Sequence, residues 1–406
     1  MERDILNKFH HILLGAAVCI STSFGLAIDG GHASADTLQI KKPGVSADDQ
    51  ALSAGQEQLE TIEGELLIEA LDGSLLFQEM DGSLRILTGA EVAAKTIQEL
   101  PLQPMSKEQV GESLLEELPE GFKIHTTDDY VIAYQTERAY AKWIGNLYQG
   151  RLKRRFRKFW SNRKFKLEVE EPEFPLVAVI FATRAQYAAQ VQRELNIELG
   201  TMVAYYNLQS NRVTMYDLTA DQGAGGGVVQ QRDIDRILNS RQGISMVTTI
   251  IHEGTHQLMF NSGLQTRLAD TPLWLNEGLA MFFEPPDLRA AQGWNGPGRT
   301  NYSRLRDLRK KSTRATDSLA TLVSNDDRLK SEGEATLIAY AESWALTHFL
   351  INRKPTQFGR YLKFLSQKKP QQMAKTGQRL ADFKKFFGDD LLKLDEEFIE
   401  YVNRIK

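Results

Sequence analysis

A chain of 406 residues with 42% hydrophobic and 25% charged residues is long enough for two or three domains of roughly 150 residues. It is too apolar for disorder, and its composition also excludes collagen-like repeats and a polytopic membrane protein. The formal charge of −4, from 49 basic and 53 acidic residues, supplies no net field for DNA or an anionic membrane, and Cys19 is the only cysteine. One thiol makes neither an internal disulfide nor a thiolate cage, so any metal must be held by His, Asp or Glu.

Residues 1–35 read as a secretory signal peptide. Arg3 and Lys8 precede an apolar run over 12–28, and Ala33-Ser34-Ala35 supplies a small-x-small cleavage pattern. The run is interrupted by Ser21, Thr22 and Ser23 and is short for a bilayer span, so an exported chain without a stable membrane anchor is expected. Residues 36–60 are polar, aperiodic and contain Pro43 and Gly44, which predicts a linker. Residues 61–120 predict a small β-rich region. Strand-like runs at 66–70, 75–78 and 84–87 are separated by Asp72-Gly73 and Asp81-Gly82, dipeptides suited to tight hairpin turns.

Residues 121–406 are expected to form one larger domain, with a sheet lobe at 121–240, metal helices at 241–286 and a helical lobe at 287–406. Within it, 139–160 predicts an amphipathic helix. Ile144, Tyr148, Leu152, Phe156 and Trp160 recur every four residues, while Arg151, Lys153, Arg154, Arg155, Arg157 and Lys158 form a basic face expected to be solvated. The apolar run at 175–183 predicts a strand buried on both faces, followed by a helix at 187–195. Runs at 203–208 and 213–218 flank Ser210-Asn211 and predict a hairpin, with either run a candidate edge strand for an extended substrate. The glycines at 223–227 match neither a dinucleotide fingerprint nor a P-loop and predict a loop. His125 lies in a polar, loop-like stretch and is expected at the surface.

The chemistry-bearing pattern is His252-Glu253-Gly254-Thr255-His256 within a helical run at 244–258. Histidines four apart leave one face of a helix after about 6 Å of rise and can converge on one ion. Glu253, at the neighbouring position, is offset from ligation and able to take a proton from a water. Gly263 predicts the helix stop. A second helix over 272–284 carries Glu277 some twenty residues on, which completes a two-imidazole, one-carboxylate set with an open fourth position, as in catalytic zinc sites.

With these residues the sequence resembles the gluzincin metallopeptidases, the group of thermolysin and the aminopeptidase N and leukotriene hydrolase enzymes. Trp274-Leu275-Asn276-Glu277-Gly278 is similar to the string in which those aminopeptidases place their third ligand, and Glu284 and Asn261 also stand where that family has Glu and Asn. The resemblance implies His252, His256 and Glu277 as zinc ligands and Glu253 as general base. The Gly-x-Met-Glu-Asn segment with which those aminopeptidases capture an amino terminus is absent from this sequence. Over residues 175–352 the chain resembles exported bacterial proteins of domain-of-unknown-function family 1570, related to the peptidase MA-like gluzincins. That likeness runs through Asn211-Arg212, the metal motif and Tyr340-Ala341-Glu342-Ser343-Trp344-Ala345-Leu346.

It implies an α+β, thermolysin-like zincin fold with a mixed-sheet lobe and a helical C-terminal lobe, preceded by the small β-region. Tyr340 then stands where gluzincins place an oxyanion donor, with Trp344 and His348 on the same helix face. The expected function is an exported zinc-dependent metallohydrolase, a peptidase acting on a peptide or other amide and not on nucleic acid. The alternative is a non-catalytic cell-envelope binding or assembly protein that retains the fold. The sequence sets no oligomeric state.

Overall fold

A computed structural model describes residues 36–41, 59–98, 102–219, 231–238, 240–287, 294–309 and 314–405. The expected leader at 1–35, the rest of the expected linker at 42–58 and the glycine loop at 223–227 lie outside the described residues.

The molecule is α+β, with two sheets and two separate apolar clusters. Strands β1 (Asp36–Lys41), β2 (Leu59–Glu69), β3 (Leu75–Glu79), β4 (Leu84–Leu87) and β5 (Val92–Thr96) form an antiparallel sheet of order β4-β3-β2-β1-β5. The linker expectation is thus corrected at 36–41. Leu38 and Ile40 alternate with Thr37, Gln39 and Lys41, and two inward residues are too few to stand out as a period before β2 and β5 flank them. Leu38, Ile40, Ile62, Leu75, Phe77 and Leu87 make this sheet's own small core. Gly73 and Gly82 take positive φ in the two turns, where Asp72 and Asp81 accept hydrogen bonds from the Ser74 and Ser83 amides.

The β-rich region ends sooner than expected. Helix α1 (Lys107–Glu117), opened by a Ser106–Gln109 capping box, sends Val110 and Leu114 into the large core of the following domain. That domain's sheet runs β6-β7-β8-β10-β9 and comprises β6 (Lys123–Thr126), β7 (Tyr130–Tyr134), β8 (Leu176–Phe181), β9 (Ala204–Tyr206) and β10 (Arg212–Tyr216). β7, β8 and β10 are parallel, and β6 and β9 are antiparallel edges. β8 is buried along its whole length, as a continuous apolar run between two parallel neighbours requires. Asn211, at positive φ, turns the β9–β10 hairpin. β9 is an edge, whereas the run at 213–218 falls on an interior strand and cannot receive a substrate by strand addition. His125 lies on edge strand β6, half-buried beside Gly145, rather than in a surface loop.

Between β7 and β8 the chain winds as α2 (Arg138–Gly145), a π-helix over Asn146–Lys153, and α3 (Arg154–Trp160). The expected apolar stripe, Ile144, Tyr148, Leu152, Phe156 and Trp160, is fully buried. Its basic face is not simply solvated. Lys153 is buried against Asp129 (2.5 Å) and Glu171 (2.8 Å), Arg157 pairs with Glu171, and Arg155 donates to the Asn295 carbonyl. Sequence spacing misplaces Lys153 because the carboxylates that hold it, Asp129 and Glu171, lie far from it in the chain.

The helical elements continue with α4 (Arg184–Leu195), α5 (Gln231–Leu238), α6 (Arg241–Phe260), α7 (Leu273–Phe283), α8 (Tyr302–Arg309), α9 (Ser318–Ser324), α10 (Asp327–Lys330), α11 (Glu334–Arg353), α12 (Pro355–Ser366), α13 (Gln378–Phe387) and α14 (Leu391–Arg404). α6 crosses β9 and β10, and α7 lies between α6 and α11. Among the described residues no helix is long and apolar enough to cross a membrane. The small sheet docks through its second Asp-Gly turn. Gly82 packs on Phe174, buried Arg267 donates to the Gly82 and Leu208 carbonyls, and the Leu84 amide donates to the Gln209 carbonyl in the β9–β10 hairpin.

On α11, His348 is buried among the rings of Phe282, Trp344 and Tyr401, with the Tyr401 hydroxyl 2.7 Å from Nδ1. Burial holds its imidazole down at about 4. Below its ordinary value near ~6.5 the unfolded chain therefore takes up a proton that the folded chain refuses. Unfolding free energy should fall as pH drops from about 6.5 towards 4, by up to about 3 kcal/mol, and be insensitive to this group above that range. Urea denaturation across this window should show a shallower acid loss in His348→Gln than in the native sequence. Parallel curves would exclude His348 as the source.

Candidate metal centre

Two helices and one strand build the centre. α6 is opened by Ser240, whose hydroxyl accepts from the Gly243 amide, and it runs 20 residues through His252, Glu253 and His256. Its close approach to the π-helix is set by Gly254. A Cβ there would lie 2.7 Å from Tyr148 Cε1 and 2.8 Å from Leu152 Cδ2, and the Tyr148 hydroxyl donates to the Ile250 carbonyl two residues before His252. α7 is buried throughout and meets α11 at Gly278, where a Cβ would sit 2.6 Å from the Ser343 carbonyl oxygen. That contact fixes Glu277, one residue earlier, against α6. From behind, α3 closes on α7 with Phe156 on Phe283 and Phe159 on Phe282.

The three expected ligands come together and are all buried. His252 Nε2 and His256 Nε2 are 3.1 Å apart, and the Glu277 carboxylate lies 3.4 Å from the first and 3.6 Å from the second through its two oxygens. Donors at the corners of a tetrahedral site with bonds of 2.0–2.1 Å are separated by roughly 3.3 Å; here one atom from each residue lies within 4.8 Å of the others, a spacing that could hold a metal ion. His252 Nδ1 is 2.7 Å from Glu284 Oε2, so Nδ1 donates to that carboxylate and Nε2 faces His256 and Glu277. The Glu284 carboxylate in turn accepts from Asn301 Nδ2 at 2.8 Å on its other oxygen. This is the carboxylate–histidine pairing that orients metal-binding imidazoles.

Glu253 stands beside the triangle. Its Oε2 accepts the Tyr206 amide of β9 at 2.9 Å, while Oε1 has no partner among the described residues. The next residue, Asn207, gives its amide to the Arg212 carbonyl on β10. The alternation of an antiparallel edge therefore turns Tyr206 outward, over Glu253. The hairpin is tied to α6 below this point. Asn211 and Asn261 exchange side-chain hydrogen bonds, the Tyr206 hydroxyl donates to Asn211 Oδ1, and Gln257 Nε2 donates to the Val177 and Asn211 carbonyls.

Burial and mutual charge shift every titratable group in this cluster. Burial pushes the Glu253 carboxyl up to about 8, with Glu277 and Glu284 adding repulsion. Burial opposes charge on His252 too, but the Glu277 and Glu284 carboxylates outweigh it and hold that imidazole well above its usual range, while burial and the neighbouring His252 take His256 down to about 4. Burial works against ionised Glu277 and Glu284, yet the imidazoles beside them keep both below the ordinary carboxylate range. Among the described residues, three carboxylates and two imidazoles share a buried volume. Of these, His252, His256 and Glu277 could hold a metal ion.

Tyr340, on α11, is buried near Glu277 and Glu253, whose charges add to burial in raising its phenol well above the usual value. His348, two turns further along α11, packs instead among aromatic rings and is absent from the ligand cluster. Sequence spacing passed over Asn301 and Arg304. Asn301 precedes a helix after a Gly/Pro stretch and is legible as a cap, its Oδ1 accepting the Arg304 amide at 3.3 Å, but nothing local announces its bond to Glu284.

Residues 246–372 match the model of a family described as a protein of unknown function (DUF1570). The match covers both ligand-bearing helices and supports that family for this segment. No curated protein matches the chain.

If Glu284 orients His252 for metal, Glu284→Gln should leave the fold intact and weaken metal binding roughly 10- to 100-fold, as loss of such outer partners does. Competition against a chromogenic chelator measures this. Unchanged affinity would reduce Glu284 to a packing residue.

Proposed function

We propose that the chain is a zinc-dependent metallohydrolase of gluzincin type with a zincin fold, a peptidase that cleaves an amide bond. The observation that carries this reading is the buried triangle of His252 Nε2, His256 Nε2 and Glu277, with the half-bonded carboxylate of Glu253 next to it. Two nitrogens and one oxygen suit zinc, and three protein ligands leave a coordination position open. Zinc in such a site supplies Lewis acidity, polarising a carbonyl and acidifying a water.

The chain's own residues then divide the remaining work. Tyr206 N–H holds Glu253 Oε2, which leaves Oε1 to take the proton of the attacking water and deliver it to the departing amine nitrogen. β9 is the edge strand of its sheet beside Glu253, where an extended peptide would be aligned by main-chain hydrogen bonds. The Tyr340 hydroxyl is the donor proposed for the carbonyl oxygen as it gains charge. A phenol held far above its usual acidity range stays protonated and able to donate at neutral pH. The leader read at 1–35 supports export of the mature chain from Asp36.

Glu253→Gln removes the base and keeps the shape. It should retain zinc and lower kcat by roughly 10²- to 10⁴-fold, and Tyr340→Phe should lower kcat about 10²-fold with a small change in KM. A peptide library read by mass spectrometry, followed by kinetics on the best substrate, tests both. Full turnover in zinc-loaded Glu253→Gln would remove this mechanism.

A further inference from the structure

Several arginines among the described residues hold carboxylates. Arg314 and Arg328 hold Glu342, Arg379 holds Asp270 and Asp326, and Arg212 holds Asp81 and Glu117. Arg304 on α8 is different. Its guanidinium makes no ion pair and no hydrogen bond among the described residues, although its charge reaches Glu277, Glu284 and Tyr340. It is not a loose surface side chain either, being half-buried with its guanidinium carbon 5.8 Å from the centre of the Tyr340 ring.

The backbone beneath it is tied to the metal centre. Asn301 accepts the Arg304 amide with Oδ1 and donates to Glu284 with Nδ2, and Glu284 holds His252. A planar fork of five donors is thus registered against the ligand set through three hydrogen bonds, yet it stands clear of the carboxylates around it. A half-buried guanidinium set against the Tyr340 ring, with its charge felt by Glu277 and Glu284 but bonded to neither among the described residues, has its donors available for an anion that is not part of the protein.

We propose that Arg304 is the carboxylate receptor of this site, and that the substrate is a peptide or related amide with a carboxylate close to the scissile bond. The inference rests on the metallohydrolase reading and adds the substrate class. The carboxylate engages the Arg304 fork, the peptide backbone lies along β9, and the scissile carbonyl is thereby set at the metal triangle below Tyr340. The two sources of such a carboxylate are a peptide's own C-terminus and an acidic side chain. Arg304 touches substrate in this arrangement and sets specificity, while Glu253 remains the proton carrier.

The test is calorimetric titration of the zinc-loaded full chain with malonic, succinic and glutaric monohydroxamic acids, each against the analogue whose free carboxylate is a carboxamide. At one chain length or more the acid should bind about tenfold or more tightly than its amide. Arg304→Gln should abolish that preference without changing affinity for the amide, and Arg304→Lys should keep part of it. Acid and amide binding alike at every length, or a preference that survives Arg304→Gln, would overturn the proposal while leaving the metal site standing. No hydroxamate binding at all would contradict the zinc site and the proposal with it. Matched peptide substrates then separate the sources. Loss of kcat/KM on C-terminal amidation assigns the terminus, loss on Glu-to-Gln replacement within an amidated peptide assigns the side chain, and indifference to both would overturn the assignment.

Discussion

Two imidazole nitrogens 3.1 Å apart, with a carboxylate closing the triangle, are the constraint around which this molecule is arranged. Left to themselves, buried carboxylates and imidazoles lose hydration and repel one another, and the ordinary outcome is neutralisation by proton uptake. Here the surrounding structure also fixes the orientation of each group. Glu284 takes the outer nitrogen of His252, Asn301 takes the other oxygen of Glu284, and β9 takes one oxygen of Glu253. Each of these bonds removes a freedom that the ligand set would otherwise use to collapse.

The scaffold serves the same geometry at longer range. Gly254 lets α6 settle onto Tyr148 and Leu152, and Gly278 lets α7 settle onto α11. The apposition of Glu277 to the two histidines follows from two places where a single methyl group has no room. The π-helix presents Tyr148 to the Ile250 carbonyl, and the aromatic face of α3 backs α7. The small N-terminal sheet reaches the same region through Arg267, which joins its turn to the hairpin that supplies Tyr206. Its docking thus bears on the strand that holds Glu253.

Sequence spacing revealed the parts governed by short, regular rules. His252 and His256 are one helical turn apart, the buried strand β8 is a continuous apolar run, and the two Asp-Gly turns fall where glycine must take positive φ. What stayed hidden depends on partners distant in the chain. β1 carries two inward residues and becomes recognisable only between β2 and β5. α1 follows the β-rich region in sequence but packs into the next domain's core, and Lys153 reads as a solvated charge until the fold sets it against Asp129 and Glu171. Glu284 stands out by position, while its bond to His252 and the bond from Asn301 appear only in three dimensions.

The central claim is that this triangle is a three-ligand metal site, and metal stoichiometry of the purified protein tests it most directly. Elemental analysis beside Glu277→Ala should give about one zinc per chain, lost or greatly weakened in the variant. No zinc after incubation with excess metal, or an equal zinc content in Glu277→Ala, would contradict the account.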